Sequence, residues 1–389
     1  MSSMFASSPV QAAKSIDYSQ ELIRRPSVTP NDHGCQQWLA QKLEALGFDC
    51  LFIYEQGVSN LVASRGHGEE AMAFVGHTDV VPPGPLDKWK VDPFAAAIVD
   101  DELIGRGAAD MKTGVAAMLA ALERHILTGK PCNKRMMWLI TSDEEGEAEY
   151  GSKVMKRYLD SQGVHLDYCI VGEPTAKEHS GDVIKVGRRG AISARLRVKG
   201  KQGHVAYPQY ADNAIHKMGK LIAALNSIVW DEGSDDFPGT SMQITHIDSG
   251  AFTDNIVPAN CSICFNIRYS HRYSQQSLFA LIESILSPIT QDFELEWERP
   301  CEPYFTEKGD KDCLIEHVEK AIHKTTGTFP LLSTSGGTSD GRFFASPGTQ
   351  VVEVGVPNKS IHQVNERVHI AELVTLEDIY SELLESLLA

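Results

Sequence analysis

Residues 136–147, "MMWLITSDEEGE", run from five apolar side chains straight into three consecutive acids. An apolar run this short reads as a buried strand, so the acids stand just beyond its carboxyl end. Adjacent carboxylates repel one another, and no lysine or arginine follows before Lys153. Asp143, Glu144 and Glu145 therefore need positive charge from elsewhere, and the rest of the sequence must supply it.

The same pattern recurs. "AMAFVG" (71–76) leads into His77 and Asp79, "DYCIVG" (167–172) into Glu173, and "VVEVGVPNKSI" (351–361) into His362. Asp110 lies in "GRGAADMKTG" (105–114), on a loop entering a helix whose Val115, Met118, Leu119, Leu122 and Ile126 share one face. Strands alternating with helices predict an α/β domain with a mostly parallel central sheet. In such sheets ligands bind beyond the carboxyl ends of the strands.

A strand-end carboxylate or histidine is usually solvated or structural when it stands alone. Four apolar runs that all deliver carboxylate or imidazole to one sheet edge point instead to metal, since zinc-like divalent ions take histidine nitrogen and carboxylate oxygen. Asp110, Glu145 and Glu173 with one hydroxide would balance two divalent ions. If Glu145 is a ligand, its neighbour Glu144 is free to act as a general base.

Composition narrows the function class. The chain has 389 residues, is 42% hydrophobic and carries a formal charge of −16, which argues for about two or three domains and against nucleic acid or an anionic membrane as partner. No apolar run approaches the ~18 residues of a membrane span. Eight cysteines without a framework pattern fit a reduced, cytoplasmic compartment. "CSIC" (261–264) could suggest zinc, but in a strand its two cysteines fall on opposite faces.

After "GRRG" (187–190) the texture changes to period-2 strands with helices near 212–228 and 274–286. The expected organisation is a flexible tail over 1–16, a catalytic domain over 17–189 and 304–389, and an inserted α+β domain over 190–303.

From about residue 17 to the end, the ordered motifs "GHTDVVPPG", "GRGAADMKTG", "TSDEEGE", "GEPT", "VGRRG", "GHVAYP", "SGGTSDGRF" and "SIHQVNE" resemble the dinuclear-zinc aminoacylase and carboxypeptidase family. That family hydrolyses amide bonds of N-acylated amino acids and small peptides. The resemblance implies a zinc-peptidase-like fold, an inserted dimerisation domain, and two Zn²⁺ per subunit, with Co²⁺ or Mn²⁺ as possible substitutes. It implies that His77, Asp110 and Glu173 hold one ion and Asp110, Glu145 and His362 the other. Asp79 would orient His77 through its second ring nitrogen, Glu144 would be the base, and the Asp110–Met111 peptide would be cis.

The resemblance further implies a homodimer in which His204 reaches the partner's active site. Within the family the motifs are most similar to the branch that acts on N-succinyl-LL-2,6-diaminopimelate, a small molecule with three carboxylates. Arg188 and Arg268 would meet those carboxylates, since guanidinium matches their geometry, with Asn255, Tyr207, Gly337 and Thr338 as further binding residues. The alternatives are an N-acetylornithine deacetylase or another deacylase of the family, and a catalytically silent scaffold. The scaffold would have lost a ligand or Glu144, and none is lost.

Overall fold

The computed structural model describes residues 13–130, 132–309 and 313–388. The chain divides into two compact units: one runs up to Gly187 and takes Phe305–Ser333 and the residues from Ser339 onward, and the other holds Arg188–Tyr304 and Thr334–Thr338. The second unit thus starts two residues before the expected 190, ends one after 303, and takes in a short later segment. Residues 1–12 of the expected tail lie outside the described residues, and residues 14–16 belong to a helix rather than to a tail.

The first unit opens with α1 (Lys14–Ile23) and α2 (Cys35–Ala45). Beyond α2 the chain turns at Gly47, whose φ of +82° is left-handed. Strands β1 (Asp49–Glu55) and β2 (Val58–Arg65) form a tight hairpin through Gln56 and Gly57, both with positive φ. Then come β3 (Ala71–His77), α3 (Thr113–Leu127), β4 (Arg135–Thr141), α4 (Ser152–Ser161), β5 (Tyr168–Val171) and β6 (Val183–Lys185).

The second unit contains β7 (Gly190–Lys199), α5 (Ala214–Asn226), β8 (Ser241–Asp248), β9 (Asn260–Tyr269), α6 (Gln275–Leu286) and β10 (Phe293–Cys301). Its sheet is antiparallel in the order β8-β9-β7-β10. Met218, Leu221 and Leu225 of α5, with Leu278, Ile282 and Leu286 of α6, pack on alternate residues of β7 and β9. Asn213 caps α5, and Ser274 and Ser277 form a capping box at α6. Alternation along β9 buries Cys261 and leaves Cys264 half-exposed, and both are free thiols.

The first unit is completed by α7 (Leu314–Thr326), β11 (Leu331–Ser333), β12 (Gln350–Glu353) and α8 (Ile370–Leu387). Its sheet runs β1-β2-β4-β3-β5-β12-β6-β11. The centre, β4-β3-β5-β12, is parallel, and so is β6 with β11. The pairs β1–β2, β2–β4 and β12–β6 are antiparallel.

Helix α3 is buried all round from Thr113 to Leu122 rather than on one face, because α1 and α8 both pack on it. Each fully buried leucine, valine or methionine there contributes ~1.5–3 kcal/mol. Two glycines bring backbones together under the sheet edge. A Cβ on Gly114 would lie 2.2 Å from the carbonyl oxygen of Gly172, and one on Gly355 would lie 2.1 Å from that of Glu173.

Candidate active site

The parallel strands β3, β4 and β5 end at His77, Thr141 and Val171, and the loops beyond them converge. His77 Nε2 lies 3.2 Å from Asp110 Oδ1 and 3.6 Å from Glu173 Oε1. His362 Nε2 lies 3.1 Å from Glu145 Oε1 and 3.4 Å from Asp110 Oδ2. Asp110 thus turns one oxygen to each histidine. His77, Asp110 and Glu173 form one group whose donor atoms are within 4.8 Å of one another, and Asp110, Glu145 and His362 form a second.

Each of the three acids after β4 has its own role. Asp143 is structural: its N–H donates to Thr141 Oγ1 at 3.1 Å, and its Oδ2 accepts from the Tyr150 N–H at 3.1 Å. Glu145 faces His362. Glu144 lies between them in sequence and is only partly exposed.

Asp79 departs from expectation. Its backbone carbonyl, not its carboxylate, takes the Nδ1–H of His77, at 2.8 Å, while carboxylate Oδ1 stands 3.6 Å away. The carboxylate is committed elsewhere, because Oδ1 accepts from the Glu144 N–H at 3.3 Å and Oδ2 from the Glu145 N–H at 3.1 Å. It orders the acidic turn, and the carbonyl fixes the ring of His77.

The Asp110–Met111 peptide is cis. On the other side, His362 and Asn365 both have left-handed backbones, φ 60° and 62°, which is uncommon for residues other than glycine. The loop holding them is pinned by the Asn358 N–H on the Ala176 carbonyl, 3.0 Å, and by the Lys90 N–H on Asn365 Oδ1, 2.7 Å.

Sequence reasoning passed over two buried acids here. Glu366 accepts from the loop that carries Asp110, and Asp340 accepts from Ser152 Oγ at 2.6 Å. Both lie inside quoted motifs, "SIHQVNE" and "SGGTSDGRF". Neither follows a strand end directly, so the pattern that singled out the others missed them.

The electrostatics are those of a site short of positive charge. Burial pushes Glu144 well above the usual carboxylate range, and the charges of Asp340, Glu145 and Asp110 add to it. Glu173 is raised by burial and by Asp110, and burial lifts Asp79 to about 6. Burial opposes a proton on His77, but the Asp110 hydrogen bond and the charges of Glu173, Asp79 and Glu144 outweigh it and hold the ring well above the usual imidazole range. Hydrogen bonds to Asp110 and Glu145 raise His362 to about 10.

Both imidazoles therefore demand protons where their Nε2 atoms face carboxylates. A divalent ion would replace those protons, and the Asp79 carbonyl already holds His77 in the tautomer that leaves Nε2 free to ligate. The donor set fits a pair of metal ions bridged by Asp110.

The remaining candidate residues lie in the second unit. His204 is exposed and opposes Ile256 across a short antiparallel pair. Its Nδ1 accepts from the Ala206 N–H at 3.1 Å, so the neutral ring carries its proton on Nε2. Tyr207 and Asn255 are also exposed, and the Asn255 carbonyl accepts from the Val205 N–H at 3.1 Å. Arg188 is largely buried, with Nη1 3.3 Å from the carbonyls of Ser335 and Gly337. Arg268 is partly exposed, its Nε donating to Asn266 Oδ1 at 3.0 Å, and Thr338 follows Gly337 on the 334–338 segment.

Among the described residues no helix is long and apolar enough to cross a membrane. Two bacterial proteins are similar over nearly their whole length. A succinyl-diaminopimelate desuccinylase of Shewanella loihica is 56% identical over 94% of this chain and 98% of its own. One of Alteromonas mediterranea is 55% identical over 96% and 97%. Among solved structures, an M20 family metallo-carboxypeptidase of Sulfolobus solfataricus superposes with a TM-score of 0.78 at 18% identity, covering 96% of this chain and 98% of that one. A Bacillus subtilis protein described as a dinuclear metal-binding peptidase of the M20 family gives 0.67 at 14% identity, covering 96% and 97%. The model of peptidase family M20/M25/M40 matches residues 73–386, and this chain belongs to that family.

Proposed function

We propose that the protein is a dinuclear metal amidohydrolase that cleaves N-succinyl-LL-2,6-diaminopimelate to succinate and LL-2,6-diaminopimelate, in bacterial lysine and cell-wall biosynthesis. The observation that carries the reading is Asp110, with one oxygen toward His77 and Glu173 and the other toward His362 and Glu145. The near full-length relatives named for this reaction supply the substrate.

In this reading His77, Asp110 and Glu173 hold one ion and Asp110, Glu145 and His362 the other, with zinc as the resident metal and Co²⁺ or Mn²⁺ able to take its place. When bound, such ions polarise a carbonyl and bring the pKa of water from ~15.7 toward ~7.

The chain's own groups do the rest. Glu144 takes a proton from the attacking water, whose oxygen bonds to the succinyl carbonyl carbon. The C–N bond then breaks, and Glu144 gives the proton to the departing amine nitrogen. A carboxylate in that place can take the proton at the first event and return it at the second, as a general base does. His204, supplied by the second chain of a homodimer, donates its Nε2–H to the developing oxyanion. Exposure in the single chain and the tautomer fixed by Ala206 support that role.

Arg188, Arg268, Asn255, Tyr207, Gly337 and Thr338 bind the carboxylates and backbone of the substrate, in the cytoplasm. A protein of charge −16 repels a tricarboxylate at long range, so recognition must be local.

The test compares kcat/KM for N-succinyl-LL-2,6-diaminopimelate and N-acetylornithine on zinc-loaded protein. A strong succinyl preference, lost in Glu144→Ala, is expected. Preference for the acetyl substrate would overturn the substrate assignment while keeping the metal chemistry.

A further inference from the structure

We infer that Glu366 is a positioning residue whose carboxylate holds Asp110 and His362 in register as ligands of the second metal ion. The inference rests on the dinuclear reading above. Glu366 is 1% exposed, and its two oxygens take four hydrogen bonds. Oε1 accepts from the N–H groups of Ala109, 2.8 Å, and Asp110, 3.0 Å. Oε2 accepts from the Gly107 N–H, 2.9 Å, and Arg106 Nη1, 2.7 Å. Its own backbone carbonyl accepts from the Gly105 N–H at 3.0 Å. One residue thus grips the chain from 105 to 110, ending at the amide of the bridging aspartate.

The other end of the grip is covalent. Glu366 lies four residues after His362 in the same loop, next to Asn365, which is itself fixed to Lys90. Asp110 and His362 come from distant parts of the chain; the short antiparallel pairing of Arg367–His369 with Glu102–Ile104 brings their segments together, and this carboxylate extends that junction to the amide of Asp110. His77 and Glu173 are placed differently, by the ends of the parallel strands β3 and β5. Loosening Glu366 should therefore release the second ion before the first.

A carboxylate is an odd choice beside so many acids unless its acceptor capacity is what matters. Both oxygens face donors only, and an ionised carboxylate is the one side chain with two acceptor oxygens and no donor. Glutamine would aim an NH₂ at N–H groups whichever way it flipped. Arg106, 2% exposed and 5.5 Å above the Trp89 ring, supplies the balancing charge. Glu366 thus needs no metal for its own neutralisation and acts through Asp110, not on substrate.

The experiment measures zinc per chain after dialysis, kcat and KM, for wild type, Glu366→Gln and Glu366→Asp, with a circular-dichroism melt of each. The aspartate variant keeps the charge opposite Arg106 but withdraws the acceptors by one methylene, so it serves if the glutamine variant does not fold. Wild type should keep two ions and the variants close to one. Their kcat should fall ~10–100-fold, the usual cost of losing such an outer partner, with KM little changed and kcat recovering as zinc is added. Two retained ions with near wild-type kcat, or a lowered melt with zinc content unchanged, would overturn the inference. Fewer than two ions in wild type would instead overturn the dinuclear reading on which it rests.

Discussion

His77 is 1% exposed and Tyr207 is 56% exposed, and most candidate groups of the two units divide the same way, although His362 of the first is exposed and Arg188 of the second is buried. In the first, the groups proposed for chemistry are largely buried and fixed by backbone: the Asp79 carbonyl on His77, the Asp79 carboxylate on the amides of Glu144 and Glu145, and Glu366 on the amide of Asp110. In the second, His204, Tyr207 and Asn255 stand in solvent on a two-residue strand pair and its turns. Preorganised groups carry catalytic power because no reorganisation is left to the reaction. Exposed groups gain theirs only when substrate or a second chain covers them. On the proposed reading every metal ligand lies in the first unit, whereas turnover would also need the second unit's exposed groups to be covered by substrate or a second chain.

The largest effect should come from the buried side. Glu144→Ala should cut kcat by ~10²–10⁴, the usual worth of a general base, with zinc content unchanged in elemental analysis. Next comes the exposed side. His204→Ala should cost ~10²–10³ in kcat, as oxyanion donors do. Mixing the Glu144→Ala and His204→Ala chains should restore activity, because one site of each mixed dimer receives both intact groups. No recovery on mixing would place His204 in its own subunit's site and blunt the contrast.

Smaller effects sharpen it. Gly114→Ala drives a Cβ to 2.2 Å from a backbone oxygen that cannot rotate away. It should destabilise by ~1–3 kcal/mol, seen as a lower denaturant midpoint. Arg188→Ala should raise KM about tenfold, the scale of one lost charge-assisted contact, with kcat less affected.

Protons give the mildest readout. The pKa of His362 rises from 6.5 to about 10 through Asp110 and Glu145. In the metal-free protein its pairing contributes stability that is whole below pH 6.5 and lost as pH climbs through about 10. Zinc must displace the same proton, so calorimetry in buffers of different ionisation heat should show proton release at pH 8 and tighter binding as pH rises toward 10.

Much of this could be read from sequence because apolar runs and strand-end acids are local signals. "MMWLI" and "AMAFVG" name their strands by composition, and His77, Glu145 and Glu173 follow them directly. What the sequence does not show is set partly by local turns and caps that lack their usual residues and partly by tertiary packing. The hairpin through Gln56 and Gly57 lacks the Asn-Gly or Asp-Gly pair that marks such turns. The α8 helix begins at Ile370, five residues before the "TLEDIYSELLESLL" run, because the His369 side chain accepts from the Ala371 N–H and caps it. The one-sided reading of α3 failed because α1 and α8 come from opposite ends of the chain to cover its other faces. Residues 334–338 join the second unit through contacts such as Arg188 with Ser335. Glu366 stood in plain view within "SIHQVNE", but its partners lie more than 250 residues earlier, and spacing says nothing about that.

The most direct test of the central claim is anomalous diffraction at the zinc edge from crystals of the zinc-loaded protein. The expected map has two peaks ~3.5–4 Å apart, one beside His77 and Glu173, the other beside Glu145 and His362, with an oxygen of Asp110 on each. A single peak, or a pair that Asp110 does not bridge, would contradict it.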